Sequence, residues 1–274
     1  MEKWNNPFID KLIGLPTEKE HLTPAWDEHI LETIYQEGGR KITEFEIEKS
    51  ERDREIIDFA QSAADRMLAA YGRQKTAPVP LENIHLLRDG GTRAYLSKIK
   101  AVSGAAAPIQ QSLMVDRVES DMQLSLITFH ELLHLKSYIA LQVMPANESN
   151  QAAVRPYRYG LTVYARDGKT RCLNSLEEAV IGYLTQEFYT NIQKEPRFEN
   201  EIKRIAEGNL HIEISRNEEY ENLSRMIETI VKTHPELTSK ELLEMFIKAQ
   251  VTGNIMAVTR LIEETFGKGS TRGY

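Results

Sequence analysis

Ser120-Asp121-Met122-Gln123-Leu124-Ser125-Leu126-Ile127-Thr128-Phe129-His130-Glu131-Leu132-Leu133-His134-Leu135-Lys136 is apolar on most sides and carries two histidines four residues apart. Ser120 with Gln123 three residues later is the signature of a capping box, so a helix is expected to start there. The apolar run through Ile139 extends the expected helix from Asp121 to about Leu141, ahead of Pro145. A helix apolar all round is buried rather than superficial.

The pattern His130-Glu131-Leu132-Leu133-His134 is H-E-x-x-H. Residues i and i+4 stack on one helix face with Cβ atoms ~5–6 Å apart, so both imidazoles can reach one ion at ~2.0–2.1 Å. Glu131, about a quarter turn away, reaches a water on that ion rather than the ion itself. Zinc lowers the pKa of such a water to about 7, and a carboxylate can take its proton and return it to a leaving amine. The bland reading is a pair of satisfied core histidines on a helix that matches by accident. Two histidines and a glutamate on an apolar helix are costly unless paired or bound to metal, which favours the metal.

A third ligand must come from elsewhere. His21, His29, His85, His211 and His234 are isolated in sequence. The better source is Leu173-Asn174-Ser175-Leu176-Glu177-Glu178-Ala179-Val180, at the start of another expected helix running to about Ile192. Asn174 with Glu177 and Ser175 with Glu178 both match a capping box, so either glutamate is a cap candidate.

Together, His130, His134 and Leu176-Glu177-Glu178-Ala179-Val180 resemble the gluzincin metallopeptidases, over roughly residues 81–190. The resemblance implies a zincin-like fold, one zinc ion per chain, a third ligand at Glu178 and a peptide or protein substrate. Glu178 is favoured over Glu177, which takes the family's usual Asn position. Two departures stand out. The second carboxylate of the ligand helix, which orients a ligand histidine, falls at Gly182. Lys136 is a charge where an uncharged residue is usual, and is expected to snorkel outward. The stretches 1–50 and 195–274 add nothing to the resemblance.

Working outward, Ile56, Phe59, Ala60, Ala63, Met67, Ala70 and Tyr71 share a helix face within about Glu48–Tyr71, stopped by Gly72. Two short helices are expected near Phe8–Ile13 and Trp26–Gln36. Strands are expected at Ile84–Leu87, Arg93–Ile99 and Ile109–Val115, the last as an edge for an extended peptide, with Ser103–Pro108 as loop. Tyr157–Ala165 and Lys169–Leu173 flank Asp167-Gly168, a hairpin signal. Beyond Pro196 helices are expected at 197–207, 217–233, 238–250 and 254–266. The pattern is α+β: a small mixed sheet with an active-site helix, then a mainly helical part. It divides as a helical region 1–75, a metal-binding core 76–193 and a helical subdomain 194–274.

The 274 residues carry a net charge of −7 with Lys and Arg spread among acids, which argues against nucleic acid. A single cysteine, Cys172, excludes an intrachain disulfide and a thiolate zinc cage, and is expected to be a small buried residue. The N-terminus lacks the pattern of a signal peptide and no stretch reaches the ~20 apolar residues of a membrane span, so a cytoplasmic protein is expected. Tyr157, Tyr159, Tyr164, Tyr183 and His211 are candidates to stabilise an oxyanion, and Arg155 and Arg158 to grip a substrate carboxylate. The oligomeric state is not legible. The expected function is a zinc-dependent peptidase with Glu131 as base. The alternative is a catalytically weak or inactive zincin-like module, which Gly182 favours.

Overall fold

In the computed structural model, residues 9–14, 41–73, 77–96, 103–108, 111–143, 154–165, 170–213 and 217–272 are described. They form an α+β protein with two separate sheets and helices around them. In chain order, β1 is Lys11–Ile13, α1 Glu51–Ala70, β2 Ile84–Arg88, α2 Gly91–Tyr95, β3 Gly104–Ala107 and β4 Ser112–Arg117. Then come α3 Asp121–Lys136, β5 Ile139–Val143, β6 Val154–Tyr159, β7 Thr162–Tyr164, β8 Arg171–Cys172 and α4 Asn174–Ile192. The remainder is helical: α5 Glu199–Ala206, α6 Asn217–Thr233, α7 Ser239–Thr252 and α8 Met256–Phe266.

The smaller sheet has the order β2-β4-β3, with β2 parallel and β3 antiparallel to β4. The larger has the order β1-β5-β6-β7-β8, with only β1 and β5 parallel. The smaller sheet packs on α3 through β3 and β4, while β7 of the larger sheet meets α4 and Ile139 and Leu141 of β5 join the same core. Met122, Leu124, Phe129, Leu132, Leu133 and Leu135 of α3 are all fully buried. The α1 stripe Ile56, Ile57, Ala60, Ala64 and Leu68 packs in the same core. On the other side Phe129 of α3 stacks on Phe188 of α4 at 4.0 Å between ring centroids. That stack fixes the register of the two helices one residue before His130. No helix among the described residues is long and apolar enough to cross a membrane.

Several local expectations are corrected. The helix α3 ends at Lys136, not near Leu141. Ser137 turns extended and its hydroxyl donates to the Leu133 carbonyl. Ile139–Val143 then serves as β5, held between β1 and β6. An apolar run suits either a buried helix or a buried strand, and here two neighbouring strands decided it. Residues 93–99 do not form a strand where they are described: Asp116 accepts the Gly90 and Thr92 amides and the Thr92 hydroxyl, which starts the short helix α2. Gly104–Ala107, expected as loop, is β3 and forms one edge of the sheet; Ser112–Arg117 is the central strand. Lys11–Ile13 is a strand rather than helix, while Trp26–Gln36 lies outside the described residues. The 157–165 strand breaks at the Gly160-Leu161 turn into β6 and β7; β7 pairs with β8 as the hairpin signal implies, its Asp167-Gly168 tip lying outside the described residues.

Lys136 does not snorkel. It is fully buried, and its ammonium lies 2.6 Å from Asp65 of α1. Burial pulls its pKa down and Asp65 opposes that. The charge therefore acts as a rivet between α1 and the last turn of α3.

Candidate metal centre

His130 and His134 project from α3 toward the first two turns of α4 with ring centroids 5.1 Å apart. Glu178 of α4 meets both. Its Oε2 lies 3.8 Å from His130 Nε2 and 3.7 Å from His134 Nε2. Ligand atoms of a tetrahedral ion with ~2.1 Å bonds lie about 3.4 Å apart. The observed edges are slightly wider, so one ion between these three atoms needs only a small closing movement. Among the described residues His130, His134 and Glu178 form the single group of three or more such side chains that could hold a metal ion. Two imidazole nitrogens and one carboxylate oxygen are a donor set suited to zinc, with iron, cobalt or manganese as chemical alternatives. The residues present therefore fit the ion.

Neither glutamate caps α4. The N-cap is Leu173, in a left-handed conformation, without a side-chain cap. Glu177 instead turns inward and is 3% exposed. Its Oε2 accepts from the Leu161 amide at 2.5 Å, and its Oε1 accepts from Gln250 Nε2 at 3.3 Å. That same Oε1 lies 3.8 Å from His134 Nδ1, the nitrogen turned away from Glu178. So Glu178 faces the Nε2 atoms of both imidazoles, and Glu177 stands on the other side of His134. Gly160 is required for this: a Cβ there would lie 2.3 Å from the Glu177 carboxylate oxygens, and its φ is +52°. Sequence reading offered both glutamates as caps because the spacing fits; the fold sends the chain into α4 through a turn that needs neither.

Behind His130 stands Thr185. His130 Nδ1 is 3.2 Å from Thr185 Oγ1, whose own hydroxyl donates to Ile181 O at 2.8 Å. A hydroxyl spent on that carbonyl accepts from Nδ1–H of His130, so the ring turns Nε2 toward Glu178. Such partners set tautomer and ring orientation in metal-bound histidines. Thr185 was missed from sequence, although it lies seven residues after Glu178 and hence on the same helix face. Gly182 is buried and supplies no carboxylate, yet α4 places the Thr185 hydroxyl within hydrogen-bonding reach of His130 and Glu177 Oε1 3.8 Å from His134 Nδ1.

The electrostatics are one-sided. Burial works against a charged His134, but Glu178, Glu131 and Glu177 outweigh it and push its pKa up to about 9. Burial raises Glu177 to about 7, with His134, the Leu161 amide and Arg158 pulling the other way. The pocket thus favours positive charge at the point where the two imidazoles and Glu178 meet.

Glu131 is 8% exposed and lines the cleft beside the histidines. The edge strand β3 closes on it: a Cβ on Gly104 would lie 2.8 Å from Glu131 Cγ and 2.9 Å from its Oε1. Gly104 is thus a second residue of the site that sequence reading missed. The cleft has a volume of about 580 Å³ and runs between β3 and the β7–β8 side, with α3 and α4 between them. Tyr159 and Tyr164 line it, edge to face at 5.4 Å, and Arg171 lies over the Tyr164 ring. Burial holds the Tyr159 hydroxyl well above its ordinary pKa. Tyr157, Tyr183 and His211 do not line the cleft, and Tyr183 stacks instead on Tyr220. Arg155 is likewise not among the lining residues. Arg158 is buried, and its guanidinium donates to the Gly160, Ala249 and Gly253 carbonyls, so it grips the chain itself. Cys172 is half-buried and also outside the lining. No protein-family model, no curated protein and no solved structure matches this chain.

Proposed function

We propose that this protein is a zinc-dependent hydrolase of gluzincin type that cleaves peptide bonds, with His130, His134 and Glu178 as ligands and Glu131 as general base. The observation that carries the reading is the approach of Glu178 Oε2 to within 3.7–3.8 Å of both imidazole Nε2 atoms, although it comes from a different helix. When bound, zinc supplies a Lewis acid that polarises a carbonyl and acidifies a water. Glu131 takes the proton from the attacking water and returns it to the departing amine. Thr185 and Glu177 hold the two imidazoles so that their Nε2 lone pairs converge. The β3 edge, backed by Gly104 against Glu131, offers backbone groups to an extended peptide, which aligns as an added strand. Tyr159 and Tyr164 stand on the opposite wall as donors for a developing oxyanion.

The reading of the same fold as an inactive metal-binding module rests on Gly182. Against it, Thr185 and Glu177 provide the oxygens that a carboxylate at 182 would otherwise supply. One experiment separates the two. Zinc content and hydrolysis of an unstructured protein substrate are measured on wild type and Glu131→Gln. The enzyme reading expects about one zinc per chain in both and a loss of activity of about 10²–10⁴-fold in the variant. Zinc without hydrolysis in wild type would leave the module; hydrolysis that survives in Glu131→Gln would remove the assigned base.

A further inference from the structure

The support behind His134 extends beyond α4 into the C-terminal helices. Gln250, in the last turn of α7, is fully buried. Its Nε2 donates to Glu177 Oε1 at 3.3 Å and to Ser137 Oγ at 3.2 Å. Ser137 Oγ can only accept from it, since its own proton goes to Leu133 O at 2.6 Å. Both acceptors flank the metal helix: Ser137 closes α3, and Glu177 Oε1 faces His134 Nδ1. The other amide atom, Gln250 Oε1, is buried without a hydrogen-bond partner. A residue needed only for packing would be better as Met or Leu at this position, with no polar atom to desolvate. What accounts for a glutamine is its donor.

A second route runs through the same helix end. Arg158 donates to Ala249 O at 3.0 Å and to Gly253 O, and at 2.7 Å to Gly160 O. It thereby staples the β6–β7 turn to the C-terminus of α7, where unpaired carbonyls attract a cation. The next amide in that turn, Leu161 N, is the other donor to Glu177. Tyr138 completes the seam: its amide donates to Gln250 O at 3.0 Å, and its ring lies against Gly253, where a Cβ would meet it at 2.5 Å. Each hydrogen bond that aims Glu177 therefore depends on residues 249–253.

We infer that the C-terminal end of α7 is part of the metal centre's support, and that Gln250 is a positioning residue that holds Glu177 against His134. This rests on the reading of His130, His134 and Glu178 as ligands. It assigns a role in the site to a part of the chain that carries no metal-binding motif of its own. Loss of an orienting partner of this kind weakens metal binding by about 10–100-fold.

The test uses the full chain and zinc alone. Zinc affinity is measured by competition with a chromophoric chelator for wild type, Gln250→Met and Val251→Ala, with zinc-free melting temperatures alongside. The spectrum of the cobalt-substituted forms reports ligand geometry. Gln250→Met keeps the side-chain volume and removes the donor; Val251→Ala costs packing on the same turn without touching that hydrogen bond. The expected result is zinc binding at least about tenfold weaker and an altered cobalt spectrum in Gln250→Met, with Val251→Ala within about twofold of wild type. Equal affinity in Gln250→Met and wild type overturns the inference and leaves the ligands standing. Equal weakening in both variants also overturns it, since helix stability would then be the cause. No zinc in wild type removes the ligand reading instead. Should Gln250→Met not fold, Gln250→Asn, whose shorter amide cannot span to Glu177, decides by the same comparison.

Discussion

The two ends of α3 are both crowded with charge, and they resolve it differently. At the N-terminal end, Glu201 accepts from the Ser120 hydroxyl and the Asp121 and Met122 amides, Arg117 bridges Asp53 and Asp121, and Arg52 also reaches Asp121. Two arginines and the positive end of a helix there answer three carboxylates. At the other end Glu131, Glu177 and Glu178 surround two imidazoles; buried Lys136 there is paired with Asp65 of α1, and Arg158 donates to three carbonyl oxygens. These acids act on the imidazoles between them: burial works against a charged His134, but Glu178, Glu131 and Glu177 outweigh it and raise its pKa to about 9. The first cluster ties the start of α3 to its neighbours; the second gathers acids around two imidazoles, and on it rests the proposed metal site.

The largest effect should separate the two clusters outright. Zinc at about 1,000 times its dissociation constant should raise the free energy of unfolding by about 4 kcal/mol. His130→Ala should lose that increment. Glu201→Gln should lower the zinc-free stability by about 1–3 kcal/mol, because it weakens three hydrogen bonds to a buried helix start, and yet keep the zinc increment. Urea titrations of the three proteins with and without zinc measure both terms. A zinc increment that survives in His130→Ala would dissolve the distinction.

A smaller effect sharpens the account of the ligand end. Thr185→Val keeps the shape of the side chain and removes the oxygen behind His130. Zinc affinity should fall about tenfold, with the zinc-free melting temperature nearly unchanged. Chelator competition reads this directly, and unchanged affinity would mean that His130 needs no orienting partner.

The smallest effect belongs to the structural end and is a pH dependence. Burial of Asp53 works against its charge, but its hydrogen bonds with Ser50 and the Arg117 guanidinium outweigh that and hold its pKa below the ordinary aspartate value. A carboxylate whose folded pKa is depressed stabilises the fold above its unfolded pKa and loses that contribution as pH falls through the folded value. The stability difference between wild type and Asp53→Asn should therefore be constant at neutral pH and shrink below about pH 4. A difference that grows on acidification would contradict the assignment.

Much of the ligand end was legible because helix periodicity is a local property. Once His130 and His134 lie on a helix they share a face, and Asn174–Ile192 was readable as a second helix carrying Glu178. The capping signals were less faithful. Ser120 does cap α3, but the side chain of Gln123 goes to the Glu213 carbonyl and Glu201 takes the free amides. A capping motif states which bonds are available, while the partners within reach decide which are made. The apolar stretch at Ile139–Val143 failed for a similar reason: its hydrophobicity suits either secondary structure, and only pairing with β1 and β6 selected the strand.

What the sequence by itself determined was the chemistry on offer: an H-E-x-x-H face on a buried helix, a pair of glutamates at the start of a later helix, and the absence of thiolate ligands. These follow from residue identity and a fixed 3.6-residue turn. Tertiary structure brought Glu178 to the imidazoles, as the resemblance implied, and it alone placed Glu177 behind His134, Thr185 behind His130, Gln250 against Glu177 and Gly104 where an edge strand closes on Glu131. Those contacts join residues up to 113 positions apart, such as Ser137 and Gln250. No local rule relates such residues; only the packing of α3, α4 and α7 around one core brings them within hydrogen-bonding reach.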